Sequence, residues 1–208
     1  MLHIAAFGSG RGSNFQAILT AIQQSEIHGA RICLVVSNNS NAGILEIARA
    51  NSIPTVHLSQ KQFNNESQFV DKLLDMLEVH QANFIVLAGY VKQLRPRIIR
   101  TYRDRIINIH PALLPKFGGK GMYGTSVHEA VIAAGEKFSG ATVHIVDEEY
   151  DRGPIVLQKK VAVAPDDTPE TLAAKVLAVE HEIYPAAVRL FAEGKIVVKD
   201  DEVAVYHS

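Results

Sequence analysis

The strongest constraint in this 208-residue sequence is a regular alternation of short apolar runs with amphipathic stretches. Residues 2–7, 31–37, 54–57, 84–88 and 105–109 have the length and bounding turn residues of strands, whereas 14–25, 41–51, 66–80 and 96–102 carry helical periodicity. Strands separated by helices pair in parallel, because each helix returns the chain to the same end of the sheet. The expected fold is therefore α/β: a Rossmann-like, mostly parallel twisted sheet with helices on both faces.

The second half follows another rhythm. A Gly/Pro-rich connection at 111–124 leads to a helix near 125–135, strands near 140–146 and 154–163, and a long helix at about 168–192. Thr168 is expected to cap that helix, with Pro169 in the first turn, where no amide donor is needed. Residues 196–205 read as a terminal hairpin with a charged turn. No repeat, low-complexity segment or linker divides the chain, and 47% hydrophobic residues suffice for one core, so a single domain over 1–208 is expected.

Basic and acidic side chains balance at 21 against 22, which gives no global field for nucleic acid, so an anionic ligand must be held by a local site. The single cysteine, Cys33, sits in the apolar run Ile32–Val36; it has no partner for an internal disulfide and reads as a packed thiol. The sequence opens directly on a strand with no basic leader, and no run approaches the ~20 apolar residues of a membrane helix. A cytoplasmic protein without a membrane partner is expected.

Two segments carry chemistry. Strand 2–7 runs into Gly8-Ser9-Gly10-Arg11-Gly12-Ser13-Asn14 and then a helix, an arrangement whose amides and dipole can cradle phosphate. Ser13 breaks the Gly-x-Gly-x-x-Gly dinucleotide pattern, and no Gly-Lys-Ser/Thr is present, which argues against NAD and ATP. By itself the loop also reads as a tight turn capped by Ser13 or Asn14.

The second segment, Asn108-Ile109-His110-Pro111, closes strand 105–109 with Asn108 and His110 on the same side. Ligands of open α/β sheets bind at such strand ends. An amide donor beside an imidazole is suited to stabilising a tetrahedral oxyanion. Further on, Asp147-Glu148-Glu149-Tyr150-Asp151-Arg152-Gly153-Pro154 forms a shaped acidic loop that either lends a carboxylate to a site or is simply solvated. Among the remaining histidines, His3, His28, His57, His80 and His207 read as packing or surface residues, and spacing gives His144 and His181 no role.

Taken together, the Gly8–Asn14 loop, Leu87-Ala88-Gly89-Tyr90, Asn108-Ile109-His110-Pro111-Ala112-Leu113-Leu114-Pro115 and Asp151-Arg152-Gly153-Pro154 closely resemble the phosphoribosylglycinamide formyltransferase family, from the first strand to the end of the long helix. The resemblance implies the formyltransferase fold, with a phosphate-binding N-terminal half and a folate-binding, catalytic C-terminal half. It also implies transfer of a formyl group from the cosubstrate 10-formyltetrahydrofolate to the amine of glycinamide ribonucleotide in purine synthesis. Carried over residue by residue, it makes Asn108, His110 and Asp151 the catalytic trio, places Gly12, Ser13 and Asn14 on the substrate phosphate, and sets Glu180 on the ribose hydroxyls. The folate is expected along Val91, Lys92, Gln93 and Leu94 and the loop 147–151, including Asp147.

The implied chemistry has Asn108 and a protonated His110 donating to the oxyanion, Asp151 raising the His110 pKa, and neither a metal nor a covalent enzyme intermediate. The partners implied are small molecules, with a monomer or homodimer as the assembly. Two departures stand out: the loop 118–124 is longer than in the better-known bacterial members, and Glu66 replaces an arginine that some relatives use near the folate tail, leaving Lys92 as the basic candidate. The nearest alternative is a formyltetrahydrofolate hydrolase or another formyltransferase of the superfamily, such as the methionyl-tRNA enzyme, whose additional domains a chain of this length is not expected to hold. A nucleotide-binding module without catalysis is the alternative from a different class.

Overall fold

A computed structural model describes residues 1–199 and 202–206. The elements run β1 (Leu2–Phe7), α1 (Ser13–Gln23), β2 (Ala30–Ser37), α2 (Gly43–Ala50), β3 (Thr55–His57), a 3-10 turn at Gln60–Gln62, α3 (Glu66–Val79), β4 (Phe84–Leu87), α4 (Pro96–Thr101) and β5 (Ile106–His110). They continue with α5 (Thr125–Ala133), β6 (Phe138–Ile145), β7 (Ile155–Ala162), α6 (Pro169–Ala192), β8 (Ile196–Lys199) and β9 (Glu202–Val205). The expected elements are all present with small shifts at their ends; the 3-10 turn, too short to carry a period, is additional.

Seven strands form one sheet in the order β3-β2-β1-β4-β5-β6-β7. The first five are parallel, β6 lies antiparallel to β5, and β7 antiparallel to β6. The two faces are read directly from strand alternation. Ile4, Ala6, Val35, Val86, Ile107 and Val143 pack against α1, α2, α5 and α6 through Phe15, Ile18, Ile44, Val131 and Val176. Their neighbours Ala5, Phe7, Leu34, Ile85 and Ile106 turn the other way, onto Phe69, Leu73 and Leu77 of α3 and Ile98 of α4.

Helix α6 begins as expected. The Thr168 side chain accepts from the Thr171 amide and Pro169 occupies the first turn. Pro185 lies inside the helix. The hairpin of β8 and β9 forms a separate two-stranded sheet, with β9 lying against β7. Its charged turn at Asp200 and Asp201, and His207, lie outside the described residues.

Candidate active site

The C-terminal ends of β1, β4 and β5 open onto a cleft of about 780 Å³ walled on the far side by the first half of α6. Every residue singled out above for catalysis, substrate or folate lines it: Gly12, Ser13 and Asn14; Val91, Lys92, Gln93 and Leu94; Asn108 and His110; Asp147, Asp151 and Glu180. Segments more than a hundred residues apart thus converge on one cavity.

The glycine loop is bound tightly to α2. Gly12 has φ +83, a left-handed conformation that an L side chain adopts only under strain, and a Cβ there would lie 2.8 Å from Ile44 Cα. Ser13 opens α1, so the loop does feed a helix N-terminus, and no side chain caps that terminus. Asn14 instead donates from Nδ2 to Glu180 Oε2 at 2.7 Å, while its Oδ1 is buried with no partner. Burial raises the Glu180 pKa, and the Asn14 bond opposes that rise in part.

At the other end of the cleft, β5 delivers Asn108 and His110. The turn after them is pinned to β6 by Thr142, whose hydroxyl donates to Ala112 O at 2.6 Å and accepts from the Leu114 amide at 3.1 Å. His110 is 3% exposed, and its Nε2 donates to Phe117 O at 2.8 Å, so Nδ1 is the nitrogen turned toward Asp151, 3.6 Å from Oδ2. Asp151 returns to this point because the loop after β6 is folded hard against the strand: a Cβ on Gly153 would lie 1.9 Å from Ile145 O. Asp151 itself has φ +54, and its Oδ2 accepts from the Gly119 amide at 2.9 Å.

His144, to which spacing gave no role, stands between the catalytic candidates. Antiparallel pairing sets it opposite Asn108 in the register. Its Nδ1 donates to Ile145 O at 2.9 Å, leaving Nε2 to accept from Asn108 Nδ2 at 3.1 Å, with Asp151 Oδ1 at 3.5 Å. That pairing fixes one amide hydrogen of Asn108 and leaves the other for a ligand. His128, unremarked in the sequence, also lines the cleft; it is 5% exposed, with an unpartnered Nδ1. Neither role could be read locally, because each depends on which strand or helix packs alongside.

The electrostatics modify one expectation. Asp151 does push the His110 pKa upward, but burial outweighs it and the net shift is down, so the resting imidazole is neutral at pH 7 rather than protonated. Burial acts to raise Asp151, yet the hydrogen bond His144 gives it when doubly protonated, the charge of a protonated His110 and the Gly119 amide hold its carboxyl below the ordinary value. Glu66 lies away from the cleft in an ion pair with Arg95 at 3.1 Å, whereas Lys92 is exposed at the cleft and makes no ion pair among the described residues. Among the described residues no three His, Cys, Asp or Glu side chains group as metal ligands, and no helix is long and apolar enough to cross a membrane.

Comparison with known proteins gives a consistent result. The formyl transferase family profile matches residues 2–188. The chain is 42% identical over 205 residues to the chloroplastic phosphoribosylglycinamide formyltransferase of Vigna unguiculata, an alignment covering 99% of this chain and 65% of that protein. It is 39% identical to the phosphoribosylglycinamide formyltransferase of Haemophilus influenzae, covering 97% of this chain and 92% of that one. The crystal structure of glycinamide ribonucleotide transformylase 1 from Symbiobacterium toebii superposes with a TM-score of 0.93 at 36% identity, over 100% of this chain and 95% of that one.

Proposed function

The chain belongs to the formyl transferase family, and from that premise we propose that it transfers the formyl group of 10-formyltetrahydrofolate to the amine of glycinamide ribonucleotide in purine synthesis. The observation that carries this reading is the two-ended cleft, with an oxyanion-type cluster of Asn108, His110 and Asp151 at one end and a phosphate-type loop beside a buried carboxylate at the other.

The ribonucleotide phosphate sits on the amides of Gly12, Ser13 and Asn14 at the uncapped start of α1, with the exposed guanidinium of Arg11 adding charge. Glu180 accepts from the ribose hydroxyls. The folate lies along residues 91–94 and the loop 147–151, with Lys92 nearest its anionic tail.

The amine attacks the formyl carbon, and the carbonyl oxygen gains negative charge as the tetrahedral intermediate forms. Asn108 donates its second amide hydrogen to that oxygen, its first being held by His144. Because Nε2 of His110 is engaged by Phe117, Nδ1 is the nitrogen available for proton transfer. Neutral at rest, it accepts the proton lost by the amine; Asp151 stabilises the resulting imidazolium, which then protonates the departing folate nitrogen.

The test is tetrahydrofolate release from the formyl donor with glycinamide ribonucleotide, with water alone and with methionyl-tRNA. Release with the ribonucleotide alone is expected. Release with water at the same rate would instead mark a hydrolase.

A further inference from the structure

Tyr184 is the largest side chain that is fully buried, yet no substrate-facing role requires it. It lies on α6 one turn after Glu180, on the face that covers the sheet. Its hydroxyl lies within hydrogen-bond distance of two backbone carbonyls on two strands, Leu87 O at 2.9 Å and Ile107 O at 3.1 Å, which share its single proton. A buried tyrosine needs a partner for its hydroxyl, but any single carbonyl would meet that need.

The two carbonyls occupy particular positions. Leu87 is the last residue of β4, from which the chain enters the segment 88–94 along the cleft, and Ile107 immediately precedes Asn108. Leu87 and Asn108 are also register partners at the end of the β4–β5 ladder. One hydroxyl therefore spans β4 and β5 where the proposed folate segment leaves the sheet and immediately before the proposed oxyanion donor in β5.

The third body in this junction is α6. Pro185, the next residue, has no amide to return to the His181 carbonyl, so the backbone ladder of α6 is interrupted beside Tyr184. The hydroxyl fixes the helix at that point, one turn from the Glu180 that bonds Asn14. Burial raises the Tyr184 pKa well above its ordinary value, which keeps the hydroxyl a donor at any working pH.

We propose that Tyr184 is a positioning residue for formyl transfer: through the carbonyls of Leu87 and Ile107 it sets β5 at the residue before Asn108, and with it the reach of the Asn108 amide toward the oxyanion. The inference rests on Asn108 being the oxyanion donor, and the experiment separates the two. Tyr184→Phe keeps the ring and removes one oxygen. Single-turnover formyl transfer, the binding of both substrates and the thermal midpoint are measured for the wild type, Tyr184→Phe, Asn108→Ala and the double variant, at a temperature where all are folded.

Tyr184→Phe is expected to slow the transfer step by about 10- to 100-fold, the range for a misplaced group near the reacting atoms, with substrate binding little changed. In the Asn108→Ala background the same substitution should cost almost nothing, because no amide is left to misplace. A lowered thermal midpoint with an unchanged transfer rate would overturn the proposal, as would an equal rate loss in both backgrounds, since either describes a structural tyrosine. A wild-type rate in Asn108→Ala alone would overturn the reading beneath it, and the proposal with it.

Discussion

Replacing Gly12 with alanine tests the phosphate loop with the smallest possible change. An L residue held at φ +83 pays about 1–2 kcal/mol for the left-handed backbone. The new Cβ would also stand 2.8 Å from Ile44 Cα and 2.9 Å from its Cβ, a crowding that no side-chain rotation of Ile44 relieves because the nearer atom is main chain. Overpacking of this kind adds at least about 1 kcal/mol. The Ile44 amide donates to Gly10 O at 3.2 Å, so any relaxation moves the loop itself away from α2. If that cost of about 2–3 kcal/mol falls on the phosphate-binding conformation, the ribonucleotide Kd rises roughly 30- to 150-fold, at about 1.4 kcal/mol per decade. The folate Kd should stay close to that of the wild type, because the three atoms nearest the added Cβ all belong to Ile44 and none to residues 91–94 or 147–151. Calorimetric titration of each ligand, with circular dichroism to establish the folded fraction, gives both constants. Equal weakening of the two ligands, or no weakening of either, would refute the assignment of the loop.

Three further outcomes follow from the same geometry. Asp151→Asn removes the charge that partly offsets burial at His110, so the His110 pKa falls further and the acidic limb of the single-turnover pH–rate profile moves to lower pH while the plateau drops; an unmoved limb would show that Asp151 does not tune His110. Glu180→Gln keeps the shape of the Asn14 contact but weakens acceptance from the ribose hydroxyls, so the ribonucleotide Kd should rise about tenfold, the scale of one charged hydrogen bond, and an unchanged Kd counts against the placement. Lys92→Ala should reduce the preference for polyglutamylated over monoglutamylated donor, measured as a ratio of kcat/KM values; a constant ratio puts the tail elsewhere.

Much of this arrangement was legible in the sequence because it is local. The alternation of apolar runs, Thr168 before Pro169, and the strand-loop-helix at 2–25 each state a short-range preference that the packed chain keeps. Strand direction was not legible in the same way: β6 is buried along nearly its whole length, as a parallel interior strand would be, and nothing in its residues marks it as running against β5. That reversal is what brings His144 opposite Asn108, so the bridging histidine was hidden for the same reason. The sign of the His110 shift was hidden too, since the sequence shows that a carboxylate is near but not how far water is excluded.

The edges of the main sheet bear on how the molecule behaves in a crowded solution. A row of unpaired amides and carbonyls at a sheet edge is a template for another chain. One edge, β3, offers only three residues. The other, β7, carries Lys159 and Lys160, with Lys159 turned onto Glu182 of α6 and β9 lying against the strand. Growth of the sheet by a foreign strand at that edge would have to bury lysine charge. Extension of the sheet is therefore opposed at both edges, by shortness at β3 and by charge at β7.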